Sequence, residues 1–295
     1  MKLLIIGQSL EDHINYKGKT QVKPGGIFYT VYGLKNFISS VDEIALCTSV
    51  EKENLKLFSP AYDDLDKKYF QFVPSIPKVI LNITDEKERE ECYSQVNKNI
   101  DINIDDFSSF NGILINMITG FDITISQLEK IRKSYSGLIY FDVHTLARGL
   151  DEKGKREFRT IPAFEKWANN IDILQANETE FSFLYDINDS KEILNKLFAS
   201  GIKILVLTKG EKGAKVYYKK DREIISTFTS SHKIETRNKV GCGDVFGAVF
   251  FYNYITDKNI EKALMLANLS AGCAASYDDL HDFEKLKKDV YERIS

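Results

Sequence analysis

Apolar runs and helical patterns alternate along residues 112–210, and this alternation constrains the fold more than any other feature of the chain. The apolar runs are nearly continuous and lie at residues 112–118, 137–143, 172–177 and 203–210. The helical patterns lie around residues 124–134, 161–169, 178–185 and 189–200. Strands that are apolar on both faces occur where helices cover both sides of a parallel sheet. The sequence therefore predicts an α/β fold, with binding sites at the carboxyl ends of the strands.

Two further strands and a small separate sheet complete this interpretation. Residues 2–7, KLLIIG, form a β-rich run that ends in a glycine, and residues 42–50 have the pattern of another buried strand. Residues 69–84 and 88–96 differ, because prolines interrupt their β-alternation and a charged turn separates them. We interpret this hairpin, together with residues of about 13–22, as a small sheet of its own.

Composition excludes several classes of protein. The chain has 295 residues, a formal net charge of −3 and a hydrophobic content of 43%, which is enough for a substantial core. The charges are mixed in sign and form no basic stripe, so we expect no nucleic-acid partner. The first apolar run has only four residues before Gly7, too few for a signal peptide. No run reaches the roughly eighteen apolar residues of a membrane span, and we expect a cytoplasmic protein.

Cysteines and histidines are spaced too widely to predict a metal site. The cysteines are at positions 47, 92, 242 and 273, and the histidines at positions 13, 144, 232 and 281. They form neither a CxxC pair nor an HExxH pattern. We therefore expect reduced thiols and no structural zinc.

The strongest local motif is NKVGCGDVFG at residues 238–247. Gly241 and Gly243 would let backbone amides approach a ligand, and the apolar run after Asp244 predicts a buried helix. The amides and the positive end of the helix dipole would then face a phosphate, with the Asp244 carboxylate beside it to accept a proton. This pattern indicates phosphoryl transfer, and a glycine-rich turn with Asp244 as a helix cap is the alternative.

The motif resembles the second signature of the ribokinase-like (PfkB) carbohydrate kinases, which is roughly D-T-x-G-A-G-D with a phenylalanine two positions on. The matching residues are Gly241, Gly243, Asp244 and Phe246. The first aspartate, the threonine and the alanine are replaced by Asn238, Lys239 and Cys242. The resemblance implies that Asp244 is the catalytic base and that the backbone of Gly241, Cys242 and Gly243 forms the anion hole.

The resemblance also implies a fold, a ribokinase-like three-layer α/β/α sandwich with a mostly parallel central sheet and a small β-sheet lid. Residues 1–295 would form a single kinase domain. Its lid segments would be residues of about 13–22 and 72–100. Such a lid excludes water, so that the substrate hydroxyl and not solvent is the nucleophile.

On the substrate side, Asp12 follows the first strand, where the family has an aspartate that binds sugar hydroxyls; a surface carboxylate without a role is the alternative. The stretch KPGGIFYTVYG resembles the family's first signature, G-G-x-x-x-N, with Gly25 and Gly26 as its glycines. Thr30 occupies the asparagine position and has a shorter reach, so the substrate preference need not follow ribose. A plain turn before a helix is the alternative for this stretch.

On the nucleotide side, Asn177 and Glu180 match the family's N-x-x-E motif, which implies that they help to hold phosphate oxygens and, through water, Mg²⁺. A capping box is a compatible alternative. The implied cofactors are ATP and Mg²⁺. A monovalent cation is doubtful, because Asn238 lacks the charge of the usual aspartate and Lys239 brings a positive charge to the same loop.

Two further features fit a nucleotide site. The loop TKGEKG matches the T-x-G-x-x-G pattern at Thr208, Gly210 and Gly213. The resemblance places Asn268, in an apolar helix, in the adenine pocket. The roles of Asp142, His144 and Arg148, in a region that resembles the family's D-x-x-x-x-R pattern, remain open.

These observations predict an ATP-dependent phosphotransferase that acts on a hydroxyl of a small sugar or sugar-like substrate. A nucleoside kinase of the same fold and a non-catalytic sugar- or nucleotide-binding regulator are the alternatives. A dinucleotide oxidoreductase is excluded, because the chain lacks the G-x-G-x-x-G fingerprint after its first strand, and it also lacks a P-loop. The exposed edges of the lid predict that a homodimer, if one forms, pairs through them.

Overall fold

The computed structural model describes residues 1–82, 90–231 and 234–294. The strands, in chain order, are β1 (Lys2–Ile6), β2 (Ser9–Tyr16), β3 (Lys19–Gly26), β4 (Glu43–Glu51), β5 (Phe70–Val73), β6 (Lys78–Asn82), β7 (Glu90–Gln95), β8 (Gly112–Asn116), β9 (Leu138–Asp142), β10 (Arg148–Leu150), β11 (Arg156–Phe158), β12 (Ile173–Asn177), β13 (Ile204–Thr208), β14 (Ala214–Lys220) and β15 (Glu223–Thr229). The α-helices are α1 (Ile27–Lys35), α2 (Ser59–Tyr62), α3 (Ile125–Ser134), α4 (Phe164–Ala168), α5 (Glu178–Ser182), α6 (Ser190–Ala199), α7 (Cys242–Asp257), α8 (Ile260–Ser276) and α9 (Leu286–Glu292). The charged turn predicted at residues 85–90, apart from Glu90, and His232 lie outside the described residues.

A nine-stranded sheet forms the centre of the molecule, in the order β15-β14-β13-β12-β9-β8-β1-β4-β5. From β13 to β5 in this order the neighbouring strands are parallel, and β14 and β15 are antiparallel. The prediction of an α/β fold with a mostly parallel central sheet is confirmed. The sequence analysis did not predict β15, whose residues are only half-buried or exposed because it is the edge strand.

A separate four-stranded sheet, called the small sheet below, contains β2, β3, β6 and β7 in the order β3-β2-β6-β7. The predicted lid segments, residues of about 13–22 and 72–100, include parts of all four strands. The prediction is wrong for residues 72 and 73, because Phe70–Val73 pairs with β4 in the central sheet. An edge strand of either sheet has the same alternation of side chains, so the pattern could not tell them apart.

Helices cover both faces of the central sheet because its inner strands are apolar on both sides. Leu3 and Ile5 belong to one buried cluster and Leu4 and Ile6 to another, as expected for side chains that alternate across a strand. The first cluster includes side chains of α1, α7 and α8, and the second includes side chains of α3, α4 and α6. The molecule is therefore a three-layer α/β/α sandwich.

Helix α7 is largely buried, and its first turn comes from the motif at residues 238–247. It packs closely on α1, where a Cβ atom on Gly33 would lie 2.7 Å from Cγ2 of Val245. Glycine at this position lets the two helices approach, so α1 and α7 hold the site as one unit. Among the described residues, no helix is long and apolar enough to cross a membrane.

Candidate active site

The start of helix α7 forms a glycine-built turn. Gly241 has a φ of 78°, and a Cβ atom there would lie 2.2 Å from Cγ of Tyr29, so only glycine fits. Cys242 and Gly243 follow in the first turn of the helix. Because the first N–H groups of an α-helix have no partner within the helix, this turn can bind an anion.

Asp244 lies in the same turn and is held by a neighbouring strand. Its side chain is buried, with the residue 8% exposed. Oδ1 of Asp244 accepts a hydrogen bond of 2.6 Å from Nδ2 of Asn116, the last residue of β8. The same nitrogen lies 3.3 Å from Oγ1 of Thr30 on α1. The carboxylate is therefore fixed by the central sheet and α1 together.

A small cavity of about 80 Å³ lies between the small sheet and the body of the molecule, next to Asp244. Its wall contains apolar side chains and a few polar ones that point to one ligand-sized space. The lining residues are Leu10, Asp12, Gly26, Tyr29, Val79, Leu81, Glu91, Tyr93, Ile118, His144, Thr145, Val240, Gly241 and Asp244.

The residues predicted to bind a substrate fall at this cavity or directly behind it. Asp12 is 6% exposed and lines the cavity, as does Gly26. A Cβ atom on Gly25 would lie 2.5 Å from Oδ2 of Asp12, so this glycine makes room for the carboxylate. Thr30 is 1% exposed and is not among the lining residues; it contacts Asn116 instead.

A larger cleft of about 1120 Å³ lies on the other side of residues 241–243. One part of its wall is apolar and includes Ile234, Phe246 and Ala271, and another part is formed by the loop after β13. Of the residues predicted on the nucleotide side, those that line the cleft are Asn177, Thr208, Gly210, Gly213 and Asn268. The structure therefore brings the separate motifs of the second half of the chain to one cleft.

Local conformation explains why two glycines follow β13. Gly210 and Gly213 have φ values of 55° and 107°. A Cβ atom on Gly213 would lie 2.0 Å from the carbonyl oxygen of Thr229, so a larger residue cannot be accommodated. Asn268, on α8, donates a hydrogen bond of 2.9 Å to the carbonyl oxygen of Ser230. This bond supplies the partner that a polar side chain in an apolar helix requires.

Glu180 forms a capping box with Asn177 at the start of α5. Oε2 of Glu180 accepts from the backbone N–H of Asn177 at 2.9 Å, and Oδ1 of Asn177 accepts from the backbone N–H of Glu180 at 2.8 Å. The capping alternative is therefore present, and it leaves one carboxylate oxygen of Glu180 for another partner. Glu180 is 7% exposed and is not among the residues that line the larger cleft.

Three acidic side chains, Asp142, Glu180 and Asp244, influence one another in the interior. Burial, together with the charge of Asp244, raises the pKa of Glu180 to about 7, although the hydrogen bond from Asn177 and the charge of Arg148 oppose the shift. Burial also raises the pKa of Asp142 well above its ordinary value, and the charges of Glu180 and Asp244 add to this. The like charges of these carboxyl groups disfavour their ionised forms. A cation beside them would favour the ionised forms.

This donor set fits a hard cation held through water. Mg²⁺ retains several waters and takes few carboxylates directly. Among the described residues, no group of three or more histidine, cysteine or acidic side chains is arranged to hold a metal ion by itself. Asp142 and Glu180 could therefore support a hydrated Mg²⁺, but they do not form a protein cage for it.

Gln175 connects this acidic group to the start of α7. Its Nε2 donates to Oδ2 of Asp142 at 2.8 Å and to the carbonyl oxygen of Gly243 at 3.1 Å, and its Oε1 accepts from the hydroxyl of Tyr140. The sequence analysis did not select Gln175 or Asn116. Each is a polar residue near the end of an apolar strand, and this position is the sequence feature that could have identified them as candidate site residues.

The sequence also left open the roles of His144 and Arg148; His144 lines the small cavity, and Arg148 pairs with Glu91, a lining residue. His144 has a φ of 41°, which is unusual for a residue other than glycine and is often found at functional sites. Nη1 of Arg148 lies 3.2 Å from Oε2 of Glu91, a residue of the small sheet that also lines the cavity. This ion pair joins the small sheet to the body of the molecule.

Lys239 lies at the mouth of the larger cleft. Its Nζ is 2.7 Å from Oε1 of Glu211, and both residues line the cleft. The lysine side chain is 70% exposed. A positive charge on a mobile side chain is therefore present near residues 241–243, but in this structure it is paired with a carboxylate.

Residues 150–283 match the family model of the pfkB family carbohydrate kinases. A curated relative, an uncharacterized sugar kinase of Archaeoglobus fulgidus, is 30% identical over 120 residues, which cover 40% of this chain and 46% of the relative. The chain thus spans less than half the length of this curated relative. The family-model match at residues 150–283 contains the residues that line the larger cleft.

Solved structures resemble the whole chain in fold. One is a putative Ribokinase II from E. coli in complex with ATP and Mg²⁺, with a TM-score of 0.77 and 16% identity over 99% of each chain. Another is a pyrophosphate-dependent kinase in the ribokinase family, complexed with a pyrophosphate analog and myo-inositol, with a TM-score of 0.73 and 18% identity over 96% of this chain and 99% of that one. At these identities the likeness shows that the two proteins and this chain share one fold.

Proposed function

We propose that the chain, which has the ribokinase-like fold and matches the pfkB carbohydrate kinase family over residues 150–283, transfers the γ-phosphoryl group of ATP to a hydroxyl of a small sugar or sugar-like substrate. The observation that carries the proposal is the position of Asp244. It lines the small cavity, while the two residues before it, Cys242 and Gly243, line the larger cleft. A hydroxyl in the cavity and a phosphate in the cleft would meet at this turn.

Each part of this turn has a role in the transfer. Asp244 accepts the proton of the attacking hydroxyl as general base. The amides at residues 241–243 and the positive end of α7 stabilise the negative charge of the transferred group. Little covalent chemistry is required of the protein, because phosphoryl transfer depends mainly on positioning and on electrostatic stabilisation.

The larger cleft supports ATP as the donor. With a volume of about 1120 Å³ and an apolar wall that includes Ile234 and Ala271, it has room for a purine base as well as phosphates. Pyrophosphate, the donor of the structural relative named above, would leave this wall uncovered. Thr208 and the glycines of the following loop would contact the nucleotide, and Asn268 would border the base.

Asp142 and Glu180 would hold Mg²⁺ through water, as the donor set described above allows. When bound, Mg²⁺ neutralises charge on the donor phosphates. Ionisation of the two buried carboxyl groups, which their mutual repulsion opposes, becomes more favourable beside such a cation. Gln175 donates hydrogen bonds to Asp142 and to the carbonyl oxygen of Gly243. These bonds would keep a constant distance between the carboxyl groups that hold Mg²⁺ and the amides that bind the phosphate.

The small sheet would act as a lid over the substrate. Leu10, Val79, Leu81 and Tyr93 of the small sheet are buried against the body and form much of the apolar wall of the cavity. Exclusion of water favours transfer to the substrate hydroxyl over hydrolysis of ATP. The β3 edge of this sheet is also where a second copy of the chain would pair in a homodimer.

The lining of the cavity supports a small polyhydroxy compound as substrate. Asp12, Glu91 and Asp244 can accept hydrogen bonds from its hydroxyl groups. The non-catalytic alternative has no comparable observation in its favour, because Asp244, its hydrogen-bond partner and the glycine turn are all in place.

An assay over a panel of sugars, polyols and nucleosides with Mg²⁺ present tests the proposal, with ADP formation measured when ATP is the donor and orthophosphate release measured when pyrophosphate is the donor. We expect turnover with ATP and a sugar or polyol. Turnover with nucleosides and with no sugar or polyol would show that the chain is a nucleoside kinase. Binding of ATP and of a sugar without any turnover would identify the chain as a regulator.

A further inference from the structure

His144 has a backbone conformation that a residue other than glycine rarely adopts. Its φ is 41°, in the left-handed region, and it follows the end of β9 by two residues. Lys17 and Asp221 have the same conformation in the β2-β3 and β14-β15 hairpin turns, and Lys258 has it directly after α7, where it is expected. His144 lies in neither setting, so its conformation is imposed by the structure around it.

The turn after β8 imposes this conformation through Thr145. The backbone N–H of Thr145 donates to the carbonyl oxygen of Met117 at 3.1 Å. The hydroxyl of Thr145 lies 2.8 Å from the same oxygen and 2.6 Å from the carbonyl oxygen of Ile118. Gly120 approaches so closely that a Cβ atom there would lie 2.8 Å from the carbonyl oxygen of Thr145. Thr145 is therefore fixed at several atoms, and His144, the residue before it, is kept at the wall of the small cavity.

Three separate elements meet at this wall. Asp12 comes from β2 of the small sheet, Asp244 from the first turn of α7, and His144 from the turn after β9. Ionised carboxylates accept hydrogen bonds and cannot donate them, whereas a neutral imidazole carries one N–H in either tautomer. His144 therefore brings a hydrogen-bond donor to a wall on which Asp12 and Asp244 supply acceptors.

Two hydroxyl groups of the same wall direct their protons to the backbone. The hydroxyl of Thr145 donates to the turn after β8, as described above, and the hydroxyl of Tyr93 lies 3.4 Å from the carbonyl oxygen of Ile118. Each hydroxyl of a sugar or polyol can both donate and accept hydrogen bonds. A substrate oxygen that gives its proton to a carboxylate still has lone pairs, and the N–H of His144 is a donor of the kind that they require.

We propose that His144 is a substrate-binding residue, whose imidazole N–H donates a hydrogen bond to a hydroxyl oxygen of the bound sugar or polyol. This inference rests on the function proposed above. The same hydroxyl donates its own proton to a carboxylate of the wall, so that one donor and one acceptor together fix the orientation of the substrate. Because His144 lines the small cavity and is not among the residues of the larger cleft, the bond contributes to the affinity for the sugar and not to the affinity for ATP.

Two substitutions test the side chain while they keep the backbone. Glycine and asparagine both tolerate a φ of 41°, so neither should disturb the turn. His144→Gly removes the donor and should raise KM for the best neutral sugar or polyol by about 10-fold or more, while KM for ATP changes little. His144→Asn keeps an N–H donor, so it should raise KM for the same compound by less than His144→Gly does.

His281→Asn is the matched control for these variants. The side chain of His281 is 84% exposed, and the residue is not among those that line the cavity. This change should leave KM for the sugar and KM for ATP as they are in the parent protein. The inference is overturned if His144→Gly leaves KM for the sugar unchanged, if it raises KM for ATP equally, or if His144→Gly and His144→Asn have equal effects.

A second measurement does not depend on turnover. In NMR spectra of the ¹⁵N-labelled protein, the imidazole signals of His144 are those that disappear in His144→Asn. Addition of fructose or myo-inositol should shift these signals and leave those of His281 in place. If no compound is phosphorylated, the proposed function fails, and this titration decides the inference: a shift of the His144 signals upholds it, and no shift with either compound overturns it.

Discussion

Asn116 donates a hydrogen bond of 2.6 Å from its side-chain nitrogen to a carboxylate oxygen of Asp244, across 128 residues of sequence. Asn116 ends β8, which lies between β9 and β1 in the middle of the central sheet. Asp244 lies in the first turn of α7, so the bond joins the central sheet to the helix that carries the motif. It holds the carboxylate in one orientation toward the small cavity.

The first prediction concerns Asp244 itself. Asp244→Asn should lower kcat by about 100-fold or more, the range for loss of general-base catalysis, while the affinity for ATP stays largely intact. Steady-state kinetics and calorimetric titration with ATP measure the two quantities. Asp257→Asn changes a carboxylate at the far end of the same helix, paired with Lys262 at 2.7 Å, and should leave kcat near normal. Near-normal kcat in Asp244→Asn would remove this residue from the catalytic role.

The second prediction separates positioning from binding. Asn116→Leu removes the bond to Asp244, and the loss of a hydrogen bond to a charged group, about 1.5 to 3 kcal/mol, should lower kcat by about 10- to 100-fold. KM for ATP should change little, because Asn116 is not among the residues that line the larger cleft.

Asn253→Leu is the matched control for this change. Asn253 is also buried, at 6% exposure, but its amide donates to the carbonyl oxygen of Val249 within α7. Equal losses of kcat in both variants would mean that Asn116 matters for folding alone.

Much of the fold could be predicted from the sequence, because apolar strands that alternate with helices leave few alternatives. The glycine turn before Asp244 was also recognisable, and at Gly241 the structure requires a glycine, because φ is positive and a Cβ atom would meet Tyr29. The hydrogen bond from Asn116 to Asp244 could not be predicted. Asn116 is 128 residues away from Asp244, and the two residues meet only when the sheet order is known.

The same limit applies to the wall of the small cavity. Asp12 could be selected because it follows the first strand, whereas Glu91 lay in a strand with no motif. Its ion pair with Arg148, which lies 57 residues further along, depends on how β7 and the β10-β11 hairpin pack together. Short β-strands of this kind leave little trace in an amino-acid pattern.

The third prediction tests the substrate side. Asp12→Ala should weaken substrate binding by about 1.5 to 3 kcal/mol, the scale of a hydrogen bond that involves a charged group, while the affinity for ATP stays nearly constant. The separation is expected because Asp12 lines the small cavity and is not among the residues of the larger cleft. Calorimetry with each ligand measures both affinities. Equal losses for the two ligands, or none for either, would remove Asp12 from the substrate site.

The fourth prediction concerns pH and stability in the absence of ligands. Burial raises the pKa of Glu180 from its ordinary value of 4.5 to about 7, so the folded protein binds more protons than the unfolded chain between these values. The contribution of Glu180 to the free energy of unfolding is therefore largest below pH 4.5, and it falls as the pH rises to about 7. Asp142 contributes in the same direction, because its pKa is also raised.

Glu180→Gln should make this pH dependence shallower. The glutamine oxygen can still accept the hydrogen bond from the N–H of Asn177, so the capping box is kept. Removal of the charge also lowers the pKa of Asp142 toward its ordinary value, because Glu180 is one cause of its shift. Denaturant unfolding between pH 5 and pH 7.5, about the window of the two shifts, measures the slopes. Parallel curves for the parent and the variant would contradict the prediction.

The last prediction concerns Lys239 and the requirement for a monovalent cation. Lys239 pairs with Glu211 at 2.7 Å, and the two side chains are 70% and 76% exposed. An ion pair between such exposed groups contributes little, about 0 to 1 kcal/mol, so the lysine can leave Glu211 when a phosphate enters the cleft. Asn238, in the position where the family has an aspartate, is uncharged, and its Oδ1 accepts from the backbone N–H of Val240 at 3.0 Å. The loop thus has a tethered cation and lacks the carboxylate that would attract a free one.

An ammonium at about 4 Å from a phosphate charge contributes on the order of 1 kcal/mol in water and about 4 kcal/mol at an effective dielectric constant of 20. This is enough to take the place of a bound K⁺. We therefore expect the parent protein to keep most of its kcat in potassium-free buffer with a bulky organic cation, and Lys239→Thr to lose activity there and to recover part of it when K⁺ is added. Lys215→Thr, a change on β14 outside the residues that line the cleft, is the control. Strong dependence of the parent on K⁺, or full activity of Lys239→Thr without it, would show that Lys239 does not act as a built-in cation.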